Sequence, residues 1–252
     1  MYYVTAACGC NIGKVRGNNE DNFYFGQRFL PKDNTGLPGI IDYQSTLEHP
    51  VYFGVFDGMG GESYGEEAAY LAARTMYEQL LTDADCQDNL VSVCINANQR
   101  ICQAARRHNV GIMGTTAVLL ELKNATAYLV NIGDSRAFLY RNGQLLQISV
   151  DHTDQFLYTS LSKTKRKPRL TQHLGIEPEE MLIEPYRTEI SIQVGDLFLL
   201  CSDGLTDMVS EKEIKDIIDA GNEVKSIAEM LVNQAINHGG RDNITILMCA
   251  VE

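Results

Sequence analysis

The chain has 252 residues, of which 44% are hydrophobic and 21% are charged, and its formal net charge is −12 at pH 7. This size and balance predict a soluble globular protein with a full core, and the negative charge argues against nucleic acid or an anionic membrane as the main partner. The sequence shows no basic amino-terminal region and no apolar run of membrane-spanning length. We therefore expect a cytoplasmic protein.

The seven cysteines are an odd number, and most of them stand inside apolar runs. This pattern is typical of reduced, buried thiols rather than of a disulfide framework. Cys8 and Cys10 could form a thiolate metal site, but the sequence has no second cysteine pair at the spacing that such sites use. Buried thiols are the favoured interpretation.

In chain order, the hydrophobic pattern predicts strands at 2–8 and 22–30, a surface hairpin or loop at 31–50, a strand at 51–56, and helices at 62–81 and 88–107. It then predicts strands at 114–122, 125–132, 136–140, 186–192 and 197–201, helices at 210–220 and 224–238, and a strand at 243–251. A capping box of Ser210 and Glu213 opens the third helix, and Asn142-Gly143 marks a hairpin. Runs of strands with helices in separate pairs favour α+β layers. One domain, a β-sandwich with a helix pair on each outer face, fits this pattern.

Carboxylates stand at the ends of four apolar runs. The run 51–56 ends in Asp57, and three glycines follow within the next four residues. Asp134 and Asp203 each come after a run, and Asp242 comes immediately before one. Strand ends that repeatedly present a carboxylate predict a shared acidic site at one edge of a sheet core. Such a site needs cations.

Eight short motifs are spread over nearly the whole chain, at 16–22, 56–61, 114–117, 131–136, 151–153, 170–175, 201–207 and 241–245. Each motif alone is a weak signal. Together and in this order, they resemble the metal-dependent type 2C (PPM) protein serine/threonine phosphatases, in particular the compact bacterial-type catalytic domain. The resemblance implies a four-layer α-β-β-α sandwich of two antiparallel sheets flanked by helix pairs. It also implies a two-metal centre in a cleft at one end of the sheets.

By position, the resemblance also implies a role for each acidic residue. Asp57 is implied to bridge two ions, and the Gly58 carbonyl to ligate one of them. Asp134 matches the position that, with Asp203, holds a third and weaker ion in bacterial-type members. Glu20 is implied to lie beside one ion, and Asp203 and Asp242 to hold the other. Asp21 is implied to contact an ion through water.

An all-oxygen set of carboxylates, a backbone carbonyl and water suits Mg²⁺ or Mn²⁺ rather than zinc. Two such ions lower the pKa of a shared water and stabilise both ends of an in-line displacement. Arg16 precedes Glu20 and Asp21 at a spacing that by itself fits a surface salt bridge. The resemblance makes Arg16 the phosphate-binding residue, because its planar guanidinium bonds two phosphate oxygens at once. The expected catalytic residues are therefore Arg16 and Asp57, and no Ser or Cys nucleophile is needed.

Two departures from the family pattern affect the predicted site. Many relatives have a histidine, a proposed general acid, where this chain has Met59, and methionine has no proton to donate. The segment 151–169, which corresponds to the family's flap, is short. Five of its residues are basic: Lys163, Lys165, Arg166, Lys167 and Arg169. Two interpretations stay open, a solvated loop that balances nearby acids and a loop that borders the cleft and attracts acidic phosphoprotein segments.

Two functions from different classes follow. The first is a metal-dependent protein serine/threonine phosphatase that hydrolyses phosphomonoesters by in-line attack of a metal-activated water. The second is an inactive metal-binding relative that acts as a phosphoprotein-binding regulatory module. The retained acids favour the enzyme, and a cation site that serves only structure explains neither Arg16 nor the glycine turn. The expected partners are phosphoserine and phosphothreonine proteins and a cognate Ser/Thr kinase, with the protein itself a monomer.

Overall fold

The structure is a computed structural model that describes residues 2–59, 64–82, 89–155, 168–221 and 223–252. Its strands are β1 (Tyr3–Asn11), β2 (Asp21–Phe25), β3 (Ile41–Thr46), β4 (Val51–Met59), β5 (Gly114–Thr115), β6 (Ala117–Lys123), β7 (Thr126–Ile132), β8 (Arg136–Arg141), β9 (Gln144–Gln147), β10 (Tyr186–Ser191), β11 (Leu197–Cys201) and β12 (Ile244–Val251). The helices in these ranges are α1 (Gly65–Thr82), α2 (Asn89–His108), α3 (Asp203–Thr206), α4 (Glu211–Ala220) and α5 (Val224–Asn237). Among the described residues, no helix is both long and apolar enough to cross a membrane.

Two antiparallel sheets form the middle of the molecule. The first has the strand order β3–β1–β12–β11–β8–β9, and the second has the order β10–β7–β6–β4–β2, with β5 paired to the end of β4. Alternate residues of each strand point into the space between the sheets, as Phe53 of β4 and Phe198 of β11 do. The rings of Phe25 and Phe53 pack there with their centroids 5.8 Å apart. The main hydrophobic core therefore lies between the two sheets.

Helices cover the outer face of each sheet. The α1 and α2 helices pack on the second sheet through small, fully buried residues such as Ala68, Ala72 and Ala97, which allow a close approach. The α4 and α5 helices pack on the first sheet through Ile214 and Leu231. The layers are therefore helix pair, sheet, sheet and helix pair. The predicted α+β class and α-β-β-α sandwich are confirmed.

Strand β4 is longer than predicted, and Asp57 lies within it rather than after it. Asp57 pairs with Asp21 of β2, and Gly58 pairs with Thr115 of β5. Both partners are distant in sequence, so the apolar run 51–56 contained no sign of them. The pairing fixes the backbone on both sides of Asp57.

Two further predictions of secondary structure are wrong in part. The segment 31–50 contains strand β3, which pairs with β1 at the edge of the first sheet and alternates half-buried with exposed residues. The predicted strand 22–30 ends at Phe25, because the chain turns at Gly26 and Gln27, which have positive φ angles of 56° and 63°. The single-turn helix α3 was not predicted, and strand β9 was implied only by the hairpin signal before it, since each has only four residues.

Two local signals are confirmed. The Ser210 hydroxyl accepts a hydrogen bond from the Glu213 amide, and the Glu213 carboxylate accepts one from the Ser210 amide, so the capping box forms at the start of α4. Asn142 and Gly143 have positive φ angles of 53° and 75°, and they connect β8 to β9 as the hairpin signal predicted.

The six cysteines in the described part of the chain are free and buried. Burial is the main cause that raises the pKa of Cys10 to about 12, and the same holds for Cys201. A thiol with such a pKa is not a thiolate at neutral pH. Cys8 and Cys10 both belong to the core between the sheets, which agrees with the buried-thiol interpretation.

Candidate active site

The acidic residues predicted as metal ligands come together at one edge of the two sheets. They are Glu20 before β2, Asp21 in β2, Asp57 in β4, Asp134 between β7 and β8, Asp203 at the start of α3 and Asp242 before β12. Burial raises the pKa of the Asp57 carboxyl well above its usual value, and the charges of four of these neighbours raise it further: Asp203, Asp21, Asp134 and Asp242. The carboxylates therefore lie close enough to repel one another.

Asp21 is held in place by two hydroxyl groups. Its side chain is buried, and its Oδ2 accepts hydrogen bonds from Ser202 Oγ at 2.8 Å and from Thr245 Oγ1 at 2.7 Å. Burial raises the pKa of Asp21 to about 7, although the two hydroxyl bonds lower it. Ser202 follows β11 and Thr245 lies in β12, so the first sheet fixes a carboxylate that belongs to the second.

The backbone around Asp57 is held from two sides. The Asp57 amide donates to Thr116 Oγ1 at 3.1 Å, and the Gly58 amide donates to the Glu20 carbonyl at 3.1 Å. A Cβ atom on Gly58 would lie 2.2 Å from the Gly65 carbonyl oxygen and 2.5 Å from that of Glu20. Only glycine fits at this position, and the close contact binds the start of α1 to the acidic edge.

Arg16 lies at the same edge. Its Nη2 is 2.6 Å from Asp242 Oδ2, and this hydrogen bond is the main cause that raises the pKa of Arg16, with Glu20 and Asp57 adding to it. The Arg16 side chain is 48% exposed, so a phosphate could reach it from solvent. The arginine thus stands among the acids and not apart from them on the surface.

A second region of the edge forms a cavity of about 160 Å³ that both Asp134 and Asp203 line. On its wall, Arg136 donates two hydrogen bonds to Asp151 Oδ2, from Nε at 3.0 Å and from Nη2 at 2.7 Å. The predicted flap starts beside this cavity. An antiparallel β-bridge between Thr153 and Leu170 joins the two ends of the flap. Residues 156–167, with four of the five basic flap residues, lie outside the described residues, so the two interpretations of that loop stay predictions.

A residue pair that sequence reasoning missed lies at the start of α1. Tyr64 has a φ angle of 76°, a left-handed conformation that costs a non-glycine residue on the order of 1 kcal/mol. Its ring stacks on His108 with a centroid distance of 4.1 Å and an interplanar angle of 20°. The next residue, a glycine, packs against Gly58 and the Glu20 carboxyl. The stack therefore positions the segment that supports two predicted ligands.

The donor chemistry of this edge fits hard divalent ions, because the side chains that converge there are carboxylates. Within the described ranges, no group of three or more His, Cys, Asp or Glu side chains is arranged to hold an ion by itself. A Mg²⁺ site does not require such a group, because Mg²⁺ keeps several waters and takes one or two carboxylates from the protein. Met59 pairs with Gly114 in the sheet and brings no acidic proton to the site.

Comparison with known proteins identifies the family. Residues 42–237 match the family model described as protein phosphatase 2C. The chain belongs to this family. It is 33% identical over 251 residues to the serine/threonine phosphatase stp of Listeria welshimeri. The matched region is 94% of this chain and 91% of that protein. It is 31% identical to the protein phosphatase PhpP of Streptococcus pneumoniae, covering 96% of this chain and 95% of the relative.

The fold agrees with solved structures of the protein phosphatase 2C family. The catalytic domain of the serine/threonine protein phosphatase PstP, solved in complex with two manganese ions, is 28% identical, has a TM-score of 0.78, and matches 100% of this chain and 99% of that one. PstP of Mycobacterium tuberculosis is a longer protein, and the region that matches this chain makes up 43% of its length. The resemblance to metal-dependent serine/threonine phosphatases is confirmed, and the chain is a PPM-type phosphatase.

The Tyr64–His108 stack gives a testable prediction about metal binding. We expect Tyr64→Gly to weaken Mn²⁺ binding roughly three- to tenfold, because partners that orient metal ligands tune affinity on this scale or above it. Tyr64→Phe keeps the stacked ring and should bind Mn²⁺ like the wild type. Calorimetric titration of both variants with Mn²⁺ measures the effect, and equal affinities for Tyr64→Gly and the wild type would show that the stack serves only packing.

Proposed function

We propose that this chain removes phosphate from phosphoserine and phosphothreonine residues of proteins with the help of Mn²⁺ or Mg²⁺. The observation that carries the proposal is the gathering of Asp57 with its acidic neighbours and Arg16 at one sheet edge. Six carboxylates repel a phosphate monoester, so the edge suits phosphate chemistry only when cations are present. The names of the relatives, serine/threonine phosphatases, support the same substrate class.

Each predicted site residue has a stated part in this proposal. Two divalent ions, when bound, offset the charge of the phosphate and make water a better nucleophile. Asp57 and Gly58 would hold them from β4, and Glu20, Asp203 and Asp242 from the neighbouring segments. Arg16 would bind the phosphate oxygens through its guanidinium fork.

Other parts of the site complete the proposal. Asp21, held by two hydroxyls, would orient water in the outer coordination of an ion. Since Met59 has no acidic proton, the proton for the leaving alkoxide would come from water or from another group of the site. The inactive regulatory module is less favoured, because the chain retains every predicted acid. A third ion, a cognate kinase, a monomeric state, a single domain over 1–252 and a cytoplasmic location stay predictions.

The first test of the function is Asp57→Asn. The substitution removes the central negative charge, so we expect turnover of an aryl phosphate and of a phosphothreonine peptide to fall by at least ~10²-fold, as the loss of metal charge stabilisation costs several kcal/mol. Asp216→Asn on the exposed face of α4 is the matched control and should retain activity. Near-normal turnover by Asp57→Asn, or full wild-type activity in excess chelator, would contradict the proposal.

Arg16→Ala tests phosphate binding. Arg16 is a hydrogen-bond donor and not a ligand, so its loss should raise KM for small and large substrates without weakening Mn²⁺ binding. Arg16→Lys keeps the charge but loses the fork, and should recover only part of the loss. Steady-state kinetics and Mn²⁺ titration measure both effects, and a variant that loses its metals but keeps its KM would show that the role is misassigned.

Asp134→Ala tests the third ion. Asp134 and Asp203 line one cavity beside the other acids, so the variant should keep two tightly bound ions but turn over more slowly. The loss should be larger for a phosphopeptide than for an unhindered aryl phosphate. Kinetics at saturating Mn²⁺ together with a count of bound ions decide the matter, and unchanged rates on both substrates would remove Asp134 from the mechanism.

A further inference from the structure

A polar groove lies beside the acidic edge. It has a volume of about 460 Å³ and is lined by residues 17–19 of the β1–β2 loop, by residues 32–35 before β3, and by Glu66 in the first turn of α1. Its walls are mainly asparagine, threonine and charged side chains, so it is suited to a hydrated or hydrogen-bonding ligand. None of its lining residues is a predicted metal ligand.

The groove is continuous with the phosphate-binding edge. The loop that forms one wall carries Arg16 before the groove and Glu20 after it. Asn243, which follows the predicted ligand Asp242, donates from Nδ2 to the Asn18 carbonyl at 3.0 Å and accepts from the Glu20 amide at 2.8 Å. The wall of the groove and the acidic edge are therefore one hydrogen-bonded unit.

The far wall of the groove is pre-formed. Asn34 Oδ1 accepts hydrogen bonds from Asn19 Nδ2 at 2.7 Å and from the Gly36 amide at 2.9 Å, and its Nδ2 donates to the Pro31 carbonyl at 3.0 Å. The Asn19 side chain is itself buried. A wall held by such bonds loses little conformational entropy when a ligand binds.

The described residues in and next to the groove carry more negative than positive charge. Lys32 contributes positive charge, as does Arg16 where the groove begins, and the Lys32 Nζ is 3.4 Å from Glu67 Oε2, just behind the groove. Glu67 is the main cause that raises the pKa of Lys32, and Asp33 and Glu66 raise it further. One lysine therefore faces three carboxylates, and the exposed Asp33 extends this charge to the rim.

We propose that this groove receives the substrate polypeptide on one side of the phosphorylated residue and favours a basic side chain there. The proposal rests on the proposed function and names the substrate feature that the same site selects. A phosphoresidue that reaches Arg16 brings its flanking chain, at about 3.3 Å per residue, across the surface that adjoins Arg16, where the groove begins. Side-chain amides bind a peptide backbone of any sequence, whereas the acids distinguish Lys or Arg from Glu.

The test uses two phosphothreonine peptides that differ only in their flanking residues, which are lysines in one and glutamates in the other. We expect the wild type to have the higher kcat/KM on the lysine peptide. Asp33→Lys should reduce or reverse the ratio of the two kcat/KM values by about two- to fivefold, the range of exposed ion pairs, and the change should shrink as salt is raised. Aryl phosphate turnover should not change, because a substrate of that size does not extend from the phosphate-binding edge into the groove.

A matched control separates local charge from net charge. Glu48→Lys makes the same change in charge in the turn before β4, at the opposite end of that strand from Asp57, and should leave the ratio unchanged. Thr35→Trp narrows the groove and should lower kcat/KM for both peptides while aryl phosphate turnover is retained.

The outcomes are distinct. An unchanged peptide ratio in Asp33→Lys, or an equal change in Glu48→Lys, overturns the groove proposal even when aryl phosphate is hydrolysed normally. A wild-type protein that hydrolyses neither peptide nor aryl phosphate in Mn²⁺ overturns the proposed function instead. If Asp33→Lys loses aryl phosphate turnover through misfolding, Asp33→Asn provides the same comparison with about half the expected change in ratio.

Discussion

The mutual repulsion of carboxylates at one sheet edge is the constraint on which the rest of the structure depends. Asp57 stands in the field of four other acids, and burial adds to the free-energy cost of its charge. Contacts with other parts of the fold hold each of the acidic groups in place despite this cost. Two hydroxyls hold Asp21, the pairing of β4 with β5 holds Asp57, and Arg16 balances Asp242. A site built in this way is stabilised by any divalent cation that binds it.

The four-layer arrangement explains how such an edge can be assembled. Its acids come from segments that are far apart in the chain, and each lies in a strand, or just before or after one, at the same end of the sandwich. The core between the sheets fixes the distance between them, so ligands from both sheets keep their relative positions. The contacts of Asp21 with Ser202 and Thr245 cross from one sheet to the other and make that position specific.

Much of the fold could be predicted from the sequence, and so could the gathering of the acids at one sheet edge. Amphipathic periodicity located the long helices, and the ordered motifs located the acids, because both signals are local. The extension of β4 through Met59 could not be predicted, since it depends on pairing with β2 and with β5 from a distant part of the chain. Strand β3 was missed because an edge strand with half-buried residues has no apolar run.

The stack of Tyr64 on His108 was missed for a similar reason. It joins the first residue before α1 to the last residue of α2, and neither residue carries a sequence signal for the contact. The groove between the β1–β2 loop and α1 was also invisible in the sequence, since its walls come from three separate segments. Motifs therefore predict the chemistry of this phosphatase, whereas contacts between distant segments, which carry no local sequence signal, shape the surface around the acidic edge.

On this account, the acidic residues at the sheet edge bind two divalent ions, and hydrolysis depends on these ions. The most direct measurement is a calorimetric titration of chelator-treated protein with Mn²⁺, with aryl phosphate turnover measured on the same samples. The account predicts two tightly bound ions per chain and a rate that rises as they bind. Full turnover in the metal-free protein, or a rate that saturates with a single bound ion, would contradict it.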